Sequence, residues 1–386
     1  MNAFACPAVV VGADLNALGL ARSLSAGRMP LTIVGDYGGG PAMDSRHGRK
    51  VRVAETAGDA LLDTLAKIAA NAPERPVLFL TEEKSVRTVS VHRERILPAF
   101  RIRLPEHERL MALMHKSGFQ ALAEDAGSLV PRALPLNTVA DLDAVAQLRF
   151  PCVLKPAKKD YAYGARFQKA YVVANIDEVA RLFKEIAPVM SDLVVQEWIE
   201  GSDSDIYFCL VYMGDGGELV SAFSGRKLRS WPRRIGGTAS CISATADAVE
   251  LERLTLDFFR AVGFCGMGSM EFKRDSRDGR FHMVEPTVAR TDFQEEVATV
   301  NGVNIPLAAY LYETGGARLP PHPVALPTMW REPVTDRWAR EGQVRLAEDG
   351  LPHAVRDAYF RFDDPMPWLH LMGGRIRGRF MHLLGK

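Results

Sequence analysis

The sequence predicts an α/β unit at the N-terminus, followed by a larger α+β region. Short apolar runs at 8–12, 31–34 and 77–80 alternate with helical patterns, which is typical of a parallel sheet covered by helices. Beyond residue 150, short strands follow one another through polar turns such as Asp215-Gly216-Gly217, which is typical of antiparallel hairpins. A chain of 386 residues is long enough for two or three packed cores.

The composition is that of an ordinary globular protein, with 47% hydrophobic and 25% charged residues. A net charge of +1 gives no overall attraction to nucleic acid, so we expect no nucleic-acid partner. The five cysteines include no CxxC pair, which favours buried thiols in a reducing compartment over disulfides or a zinc site. No apolar run is long enough to cross a bilayer and no secretory signal pattern is present, so we expect a cytoplasmic protein.

The first strand leads into the segment 12–19, which begins and ends with glycine and opens a helix. It lacks the GxGxxG pattern of dinucleotide sites, so a strand-to-helix turn that requires glycine is the favoured interpretation. The free amides at that helix N-terminus would nevertheless suit a carboxylate, and we expect a carboxylate substrate to meet the segment Asp14–Leu18.

Lys155 lies within an apolar strand, at Cys152-Val-Leu-Lys-Pro156. A buried ammonium group needs an anionic partner, unless its stem is buried and its charged end reaches solvent. The basic, glycine-containing segment 158–169 follows directly and suits a lid over phosphate groups. A solvated charged turn is the alternative for this segment.

A third candidate is the segment Gln196-Glu-Trp-Ile-Glu-Gly-Ser-Asp203, where a buried strand ends in a loop. The backbone there could bind an adenine edge, with Trp198 and Ile199 beside the ring and a carboxylate on the ribose hydroxyls. Trp198 as an ordinary core residue is the alternative.

Two glutamates give the strongest signal for a metal site. Glu271 and Glu285 each lie in a strand, and a polar turn joins the two strands. The hairpin can place the two glutamates opposite or nearly opposite each other, and an even register places both on one face. Directly opposed like charges are destabilising unless a cation lies between them. Two carboxylates together with nucleotide phosphates suit Mg²⁺. The alternative is that each glutamate pairs with a nearby arginine or lysine.

Three further cations could act on a transferring phosphoryl group or an oxyanion. Arg290 follows the second glutamate strand, and Arg226 and Lys227 lie before a glycine-rich turn. Each of the three, taken alone, is more typical of a solvated charge.

In order and spacing, these elements resemble the ATP-grasp superfamily, in its carboxylate–amine ligase branch, from residue 1 to about Tyr312. Lys116 and Lys155 resemble the two ATP-contacting lysines of that family. The segment Gln196–Gly201 resembles the adenine hinge, with Glu197, Trp198 and Ile199 in it and Asp203 at the ribose position. Arg226 stands where such enzymes hold a phosphate-contacting cation. Glu271 and Glu285 resemble the two metal carboxylates.

The resemblance implies a Rossmann-like domain over 1–105, a small ATP-grasp lobe over 106–190, a large lobe over 191–318 and a C-terminal extension over 319–386. It also implies ATP and Mg²⁺ as cofactors. One position departs from the family, because Thr287 replaces the usual asparagine two residues after the second carboxylate. A threonine hydroxyl offers one neutral oxygen, so a second metal ion would be held more weakly or through water.

The activity implied is ligation of a carboxylate to an amine through an acylphosphate, with release of ADP and phosphate. A small-molecule kinase on the same scaffold and a non-catalytic nucleotide-binding protein are the alternatives. Neither substrate follows from the sequence, and a homodimer remains open.

The prolines after residue 319 predict a linker or an irregular extension. The last segment, 368–384, carries arginines among apolar residues and suits an acidic membrane surface or partner, although packing against the lobes is the favoured interpretation.

Overall fold

The computed structural model describes residues 5–157, 161–168, 170–234, 236–320, 326–341 and 354–373. Three β-sheets organise these residues: a parallel sheet at the N-terminus, a small antiparallel sheet and a seven-stranded sheet. Within the described ranges, no helix combines the length and the apolar character that a membrane span requires.

The N-terminal sheet is parallel and has the strand order β3-β2-β1-β4. Its strands are β1 (Ala8–Val11), β2 (Leu31–Asp36), β3 (Arg49–Val53) and β4 (Val77–Leu80), and its helices are α1 (Leu15–Ser25), α2 (Pro41–Asp44), α3 (Gly58–Ala70), α4 (Glu83–Val91) and α5 (Arg93–Ile96). Strands β1 and β4 are fully buried, as their apolar runs predict. Strand β3 was not predicted, because it lies at the sheet edge and three of its five residues are basic.

Two helices, α6 (His107–Met114) and α7 (Lys116–Asp125), follow the N-terminal sheet. Their apolar side chains belong to the core that joins the N-terminal sheet to one face of the large sheet. The ring of Phe119, for example, makes an edge-to-face contact with Phe258 at 5.7 Å between centroids. These helices therefore do not share the core of the small lobe, in which the sequence interpretation placed them.

The small sheet has the order β5-β8-β6-β7 and is antiparallel. Its strands are β5 (Ala133–Leu136), β6 (Cys152–Pro156), β7 (Tyr171–Val173) and β8 (Leu193–Glu197), and its helices are α8 (Leu142–Val145), α9 (Tyr161–Gly164) and α10 (Ile176–Ile186). Leu154 and Val195 lie on one face, in a core with Phe183 of α10. Because β8 pairs with β6, this sheet extends to Glu197, beyond the boundary expected at residue 190.

The large sheet has the order β13-β12-β9-β10-β11-β14-β15. Its strands are β9 (Ile206–Met213), β10 (Leu219–Trp231), β11 (Gly237–Ser243), β12 (Gly266–Arg274), β13 (Phe281–Val288), β14 (Thr328–Arg331) and β15 (Ala354–Asp357), and its helices are α11 (Ala248–Ala261), α12 (Glu296–Val300), α13 (Ile305–Thr314) and α14 (Pro333–Arg340). The pairs are antiparallel except for β14 with β15. One face packs on α11, and the other packs on α1 and α13.

The region after residue 319 is more than the irregular extension that its prolines predict. Strand β14 pairs with β11 and β15 pairs with β14, so both continue the large sheet. Trp330 of β14 is 1% exposed and donates through Nε1 to Glu296 Oε2 at 3.1 Å. The prolines flank these strands and do not prevent them.

Candidate functional site

A cleft of about 860 Å³ opens between α7, one face of the small sheet and the edge strand β13. Four residues singled out from the sequence line it: Lys116, Lys155, Gln196 and Glu285. The rest of its lining includes Leu113, Met114, Phe119, Leu134 and Val194, which are apolar. An apolar cleft with a few converging polar groups is the usual form of a small-molecule site.

Side chains alternate between the two faces of the small sheet along β6, and this alternation decides which face Lys155 occupies. Val153 pairs with Gln196 and Lys155 pairs with Val194 across β6 and β8, so these four side chains share the face opposite to α10. Lys155 Nζ donates to Gln196 Oε1 at 2.6 Å. The apolar strand therefore presents its one ammonium group to the cleft and not to the core.

Lys116 reaches the same cleft from the start of α7. Its Nζ donates to the carbonyl oxygen of Pro156, at the end of β6, at 3.0 Å. Both lysines are half-buried, so two positive charges lie at one wall of the cleft. A polyanion such as a nucleotide phosphate chain would be attracted there.

The predicted hinge segment makes several contacts within its own lobe. The backbone amides of Glu197 and Trp198 donate to the carbonyls of Arg132 and Pro151, at 2.9 and 3.0 Å. Trp198 is half-buried beneath the guanidinium of Arg234, which lies 5.1 Å from the ring centroid. Ile199, which follows, is buried at 5% exposure.

Asp203 has partners of its own in the structure. Its two carboxylate oxygens accept from the backbone amides of Ser230 at 3.2 Å and Arg234 at 2.8 Å. The side chain thereby ties the segment after β8 to the turn between β10 and β11. Its predicted contact with a ribose would compete with these two hydrogen bonds.

Glu271 and Glu285 are direct partners in the β12–β13 register. Ser269 and Thr287 form the pair two residues away, so Thr287 lies on the same face as both glutamates. Glu271 Oε2 lies 2.6 Å from Lys227 Nζ in an ion pair, so this glutamate does pair with a lysine, but with one from β10 and not from its own hairpin. Glu285 is exposed and faces the cleft.

Lys227 is buried at 4% exposure among three carboxylates. Burial lowers the pKa of Lys227, but the charges of Glu271, Asp292 and Glu285 outweigh this effect and raise it overall. The ammonium therefore stays charged inside the protein. Three carboxylates near one lysine leave this cluster net negative, and carboxylate oxygen atoms are ligands that Mg²⁺ prefers.

Asp292 is a member of this cluster whose role the sequence did not reveal. Its Oδ2 accepts from Ser269 Oγ at 3.0 Å and from Gln294 Nε2 at 3.1 Å. The signal in the sequence was its place two residues after the predicted Arg290, but its neighbours in space follow only from the fold.

The side chains of Arg226 and Lys227 lie on opposite faces of the large sheet. Adjacent residues of a strand point to opposite faces, and Arg226 pairs with Tyr207 and Ile242 on the neighbouring strands. Of these two predicted cations, Lys227 is therefore the one on the face of the glutamates.

Arg290 lies beside the N-terminal domain, after Ala289, whose φ of 58° is left-handed. Desolvation raises the pKa of Asp14, whereas the Ala17 amide and the charge of Arg290 act in the opposite direction. Asp14 caps α1 by accepting from the Ala17 amide at 3.2 Å. Arg290 Nη1 donates to the carbonyl oxygen of Thr291 at 3.1 Å, and Asn16 Nδ2 of α1 donates to the same oxygen at 2.8 Å, so Arg290 lies beside the start of α1.

A buried network fixes this junction. Asn16 Nδ2 donates to the carbonyls of Thr81 at 3.1 Å and Thr291 at 2.8 Å, and Thr291 Oγ1 donates to Asn16 Oδ1 at 2.6 Å. Gly12 has a φ of 135°, and a Cβ there would lie 1.9 Å from Thr81 Oγ1. The glycine is therefore required by the strand-to-helix turn, as the favoured interpretation of that segment holds.

Glu295 is a buried carboxyl group that the sequence did not distinguish. It is 2% exposed, and neither of its side-chain oxygens has a hydrogen-bond partner within the part of the chain that the structure describes. Burial and the nearby charges of Glu296 and Asp292 raise the pKa of Glu295 to about 8.

A separate acidic group lies at the turn between β12 and β13. Asp275, Asp278 and His282 are the one set of three metal-type ligands found close together among the residues described. Hydrogen bonds from Arg277 lower the pKa of Asp275 to about 2, so a guanidinium already satisfies that carboxylate. The group closes a hairpin and is not part of the cleft.

The predicted lid falls partly outside the described residues, which omit 158–160 and 169. Within the rest of that segment, α9 is followed by a turn in which the Tyr163 hydroxyl donates to the carbonyl of Gln168 at 2.7 Å. Closure over a ligand remains a prediction.

Comparisons with known proteins identify the fold. No family model and no curated protein matches the chain. Among solved structures, an N5-carboxyaminoimidazole synthase from Aspergillus clavatus, in complex with ADP and 5-aminoimidazole ribonucleotide, is 14% identical. The alignment covers 85% of this chain and 81% of that one, with a TM-score of 0.64.

Two further solved structures give the same result. The biotin carboxylase domain of the Hydrogenobacter thermophilus 2-oxoglutarate carboxylase, with MgADP and bicarbonate, is 14% identical over 82% of this chain and 71% of that chain, with a TM-score of 0.59. An L-amino acid ligase from Bacillus licheniformis is 13% identical over 81% and 75%, with a TM-score of 0.58. The ATP-grasp fold expected from the sequence is therefore confirmed.

Proposed function

We propose that this chain is an ATP-dependent carboxylate–amine ligase that forms an amide through an acylphosphate and releases ADP and phosphate. The observation that carries the proposal is the cleft, where Lys116, Lys155 and Glu285 meet and where Glu285 stands in register with Glu271. The fold shared with three nucleotide-dependent or ligating enzymes supports it.

ATP would bind with its base on the free face of the small sheet and its phosphates at the two lysines. Val153 and Val194 provide apolar surface there, beside Lys155. The hinge Glu197–Ile199 lies at the end of the same strand, and Asp203 is the candidate for the ribose. Lys116 and Lys155 would neutralise phosphate charge from one wall of the cleft.

Glu271, Glu285 and Thr287 are the residues that would hold Mg²⁺. When bound, the ion would neutralise charge on the β- and γ-phosphates during transfer. Lys227 holds Glu271 in place by their 2.6 Å ion pair and stays charged because the surrounding carboxylates raise its pKa. The single neutral oxygen of Thr287 predicts weaker binding of a second ion than of the first.

In the reaction, a carboxylate oxygen of the substrate attacks the γ-phosphorus of ATP, and ADP departs. The amine then attacks the acyl carbon and loses a proton, and phosphate leaves as the amide forms. Arg290, beside the start of α1, would orient the carboxylate and stabilise the tetrahedral oxyanion. A carboxylate site near Asp14–Leu18 is supported by the shared contact of Arg290 and Asn16 with the carbonyl oxygen of Thr291.

The test is formation of ADP and hydroxamate with Mg-ATP and hydroxylamine, across a panel of amino acids and small carboxylic acids. A ligase yields a hydroxamate that depends on one carboxylate. Glu285→Gln should abolish it, whereas Glu250→Gln, at an exposed position of α11, should not. A kinase that phosphorylates an alcohol would release ADP without hydroxamate. Nucleotide binding without ADP formation for any compound would contradict the proposal.

A further inference from the structure

Lys227 reaches Glu271 across an intervening strand. Glu271 on β12 pairs with Phe208 on β9, and Phe208 pairs with Gly225 on β10, so these three residues form one row across the large sheet. Lys227 lies two residues beyond Gly225 and therefore on the same face. Since neighbouring strands are about 4.8 Å apart, two strand spacings separate β10 from β12. The 2.6 Å contact between Lys227 Nζ and Glu271 Oε2 is thus made across the sheet.

The strand between the two charged residues is apolar and closely packed. Phe208 is fully buried, and a Cβ at Gly225 would lie 2.4 Å from its Cζ atom. Lys227 itself is only 4% exposed. Water screens a buried ion pair much less than an exposed one, so Glu271 holds this ammonium group strongly.

A second buried lysine on the same face contacts a different part of the chain. Lys273 of β12 lies two residues from Glu271 and is 8% exposed. Its Nζ donates to the carbonyl oxygen of Ser202, in the segment after β8. Of these two lysines, Lys227 is therefore the one whose ammonium group contacts a predicted metal ligand.

The charges near Lys227 favour one divalent ion. Glu271, Glu285 and Asp292 bring three negative charges to the positive charge of Lys227, and one divalent ion neutralises the remainder. Glu271 shares one of its two oxygens with the ammonium group, and Thr287 offers only a neutral oxygen. Few anionic oxygens of the protein are left to hold a second ion.

We propose that the ammonium group of Lys227 takes the place of a second metal ion, so that the site binds one divalent cation and not two. In two-metal sites both ions neutralise charge on the reacting oxygens. Here Lys227 would supply part of that positive charge to the transferring phosphoryl group, and it is fixed in the fold before any ligand arrives. The inference rests on the proposed function, because the nucleotide and its metal ion belong to that function.

The test counts the metal ions that the full chain binds. The chain is dialysed to equilibrium against Mn²⁺ and β,γ-imido-ATP, which resists hydrolysis, and bound Mn²⁺ and bound nucleotide are measured. We expect one Mn²⁺ for each nucleotide. Two ions that share ligands lie about 4 Å apart, so a pair would also give a spin-coupled electron paramagnetic resonance spectrum. Two Mn²⁺ for each nucleotide on the unaltered chain, with that coupling, overturns the proposal.

Thr287→Asn separates the effect of Thr287 from that of Lys227. This variant supplies the amide oxygen that the sequence lacks at this position, and it should still bind one Mn²⁺ because Lys227 is in place. Thr287→Asn/Lys227→Met should bind two, with a spin-coupled spectrum. A second ion in Thr287→Asn alone would assign the single-ion site to Thr287 and would overturn the role of Lys227.

The matched control is Thr287→Asn/Lys273→Met, which removes the other buried lysine of the same face and should bind one Mn²⁺. Circular dichroism checks the fold of every variant, and the counts for the unaltered chain and Thr287→Asn decide the question even if loss of Lys227 prevents folding. One Mn²⁺ on a chain that forms no hydroxamate would support this inference and contradict the ligase activity. Two Mn²⁺ on a chain that forms hydroxamate would do the reverse.

Discussion

Replacement of Glu295 by glutamine should remove a pH dependence of stability that this one buried carboxyl group creates. Burial and two neighbouring carboxylates raise the pKa of Glu295 from its ordinary 4.5 to about 8. The folded state therefore binds a proton that the unfolded state releases above about pH 4.5. This contribution is fully present below that pH and is lost as the pH rises through about 8.

The difference between the two pKa values sets the magnitude. A pKa difference of about 3.5 corresponds to up to about 5 kcal/mol of unfolding free energy between pH 4 and pH 9. Glutamine keeps the shape of the protonated acid but cannot ionise. The free energy of unfolding of the variant, relative to the unaltered chain, should therefore increase by a few kcal/mol over this range.

The assay is urea unfolding followed by tryptophan fluorescence at several pH values between 5 and 9. Trp330, which is buried in the same lobe and contacts Glu296, reports on this region. Glu250→Gln, at an exposed position, should run parallel to the unaltered chain at every pH. If Glu295→Gln also runs parallel, Glu295 is ionised in the folded protein and the reasoning is wrong.

Two further predictions concern the lysines of the site. Lys227→Met should lower the free energy of unfolding by about 3–5 kcal/mol, measured by urea unfolding, because it leaves Glu271 and Asp292 without their buried counter-charge. Lys155→Met should raise the dissociation constant for Mg-ATP at least about tenfold, measured by calorimetry, with little change in melting temperature, because its ammonium group faces the cleft and not the core.

A specific result would contradict each of these two predictions. If Lys227→Met lowers the free energy of unfolding by less than about 1 kcal/mol, Glu271 and Asp292 do not depend on the charge of Lys227 for the stability of the folded protein. Unchanged nucleotide affinity in Lys155→Met would remove this lysine from the phosphate site. Lys184→Met, on the exposed side of α10, is the matched control for both, and it should change neither quantity.

The sequence predicts that the two glutamates lie close together across a hairpin, because a short polar turn joins their two strands and makes them antiparallel. The polar turn after Arg274 limits how far the strands can slip, and an even register places Glu271 opposite Glu285. The sequence could not decide between Arg226 and Lys227, since which face of β10 meets the carboxylates depends on its neighbours. For the same reason the sequence left open whether Glu271 binds a metal ion or pairs with a nearby arginine or lysine, and it did not indicate Lys227 as the partner.

Boundaries between the lobes were predicted less well. Strand β8 precedes β9 directly in sequence, so it was grouped with the large lobe, but it pairs with β6 about forty residues earlier. Strand β14 adds to the large sheet across a proline-rich segment. Such pairings bring together distant parts of the chain, and local hydrophobic patterns carry no information about them.

Two carboxyl groups after Arg290 illustrate a second limit to prediction from the sequence. Asp292 and Glu295 follow Arg290 in a polar stretch that reads as solvent-exposed. Glu295 is buried because α12 packs between α1 and strand β14, and only the assembled fold shows this packing.

Transfer of oxygen from the carboxylate to phosphate tests the central claim most directly. The carboxylate found by hydroxamate trapping would be labelled with ¹⁸O in both oxygens and incubated with Mg-ATP and its amine, and the released phosphate examined by mass spectrometry. An acylphosphate route predicts one ¹⁸O in each phosphate formed per amide. Unlabelled phosphate released together with the amide would contradict an acylphosphate intermediate.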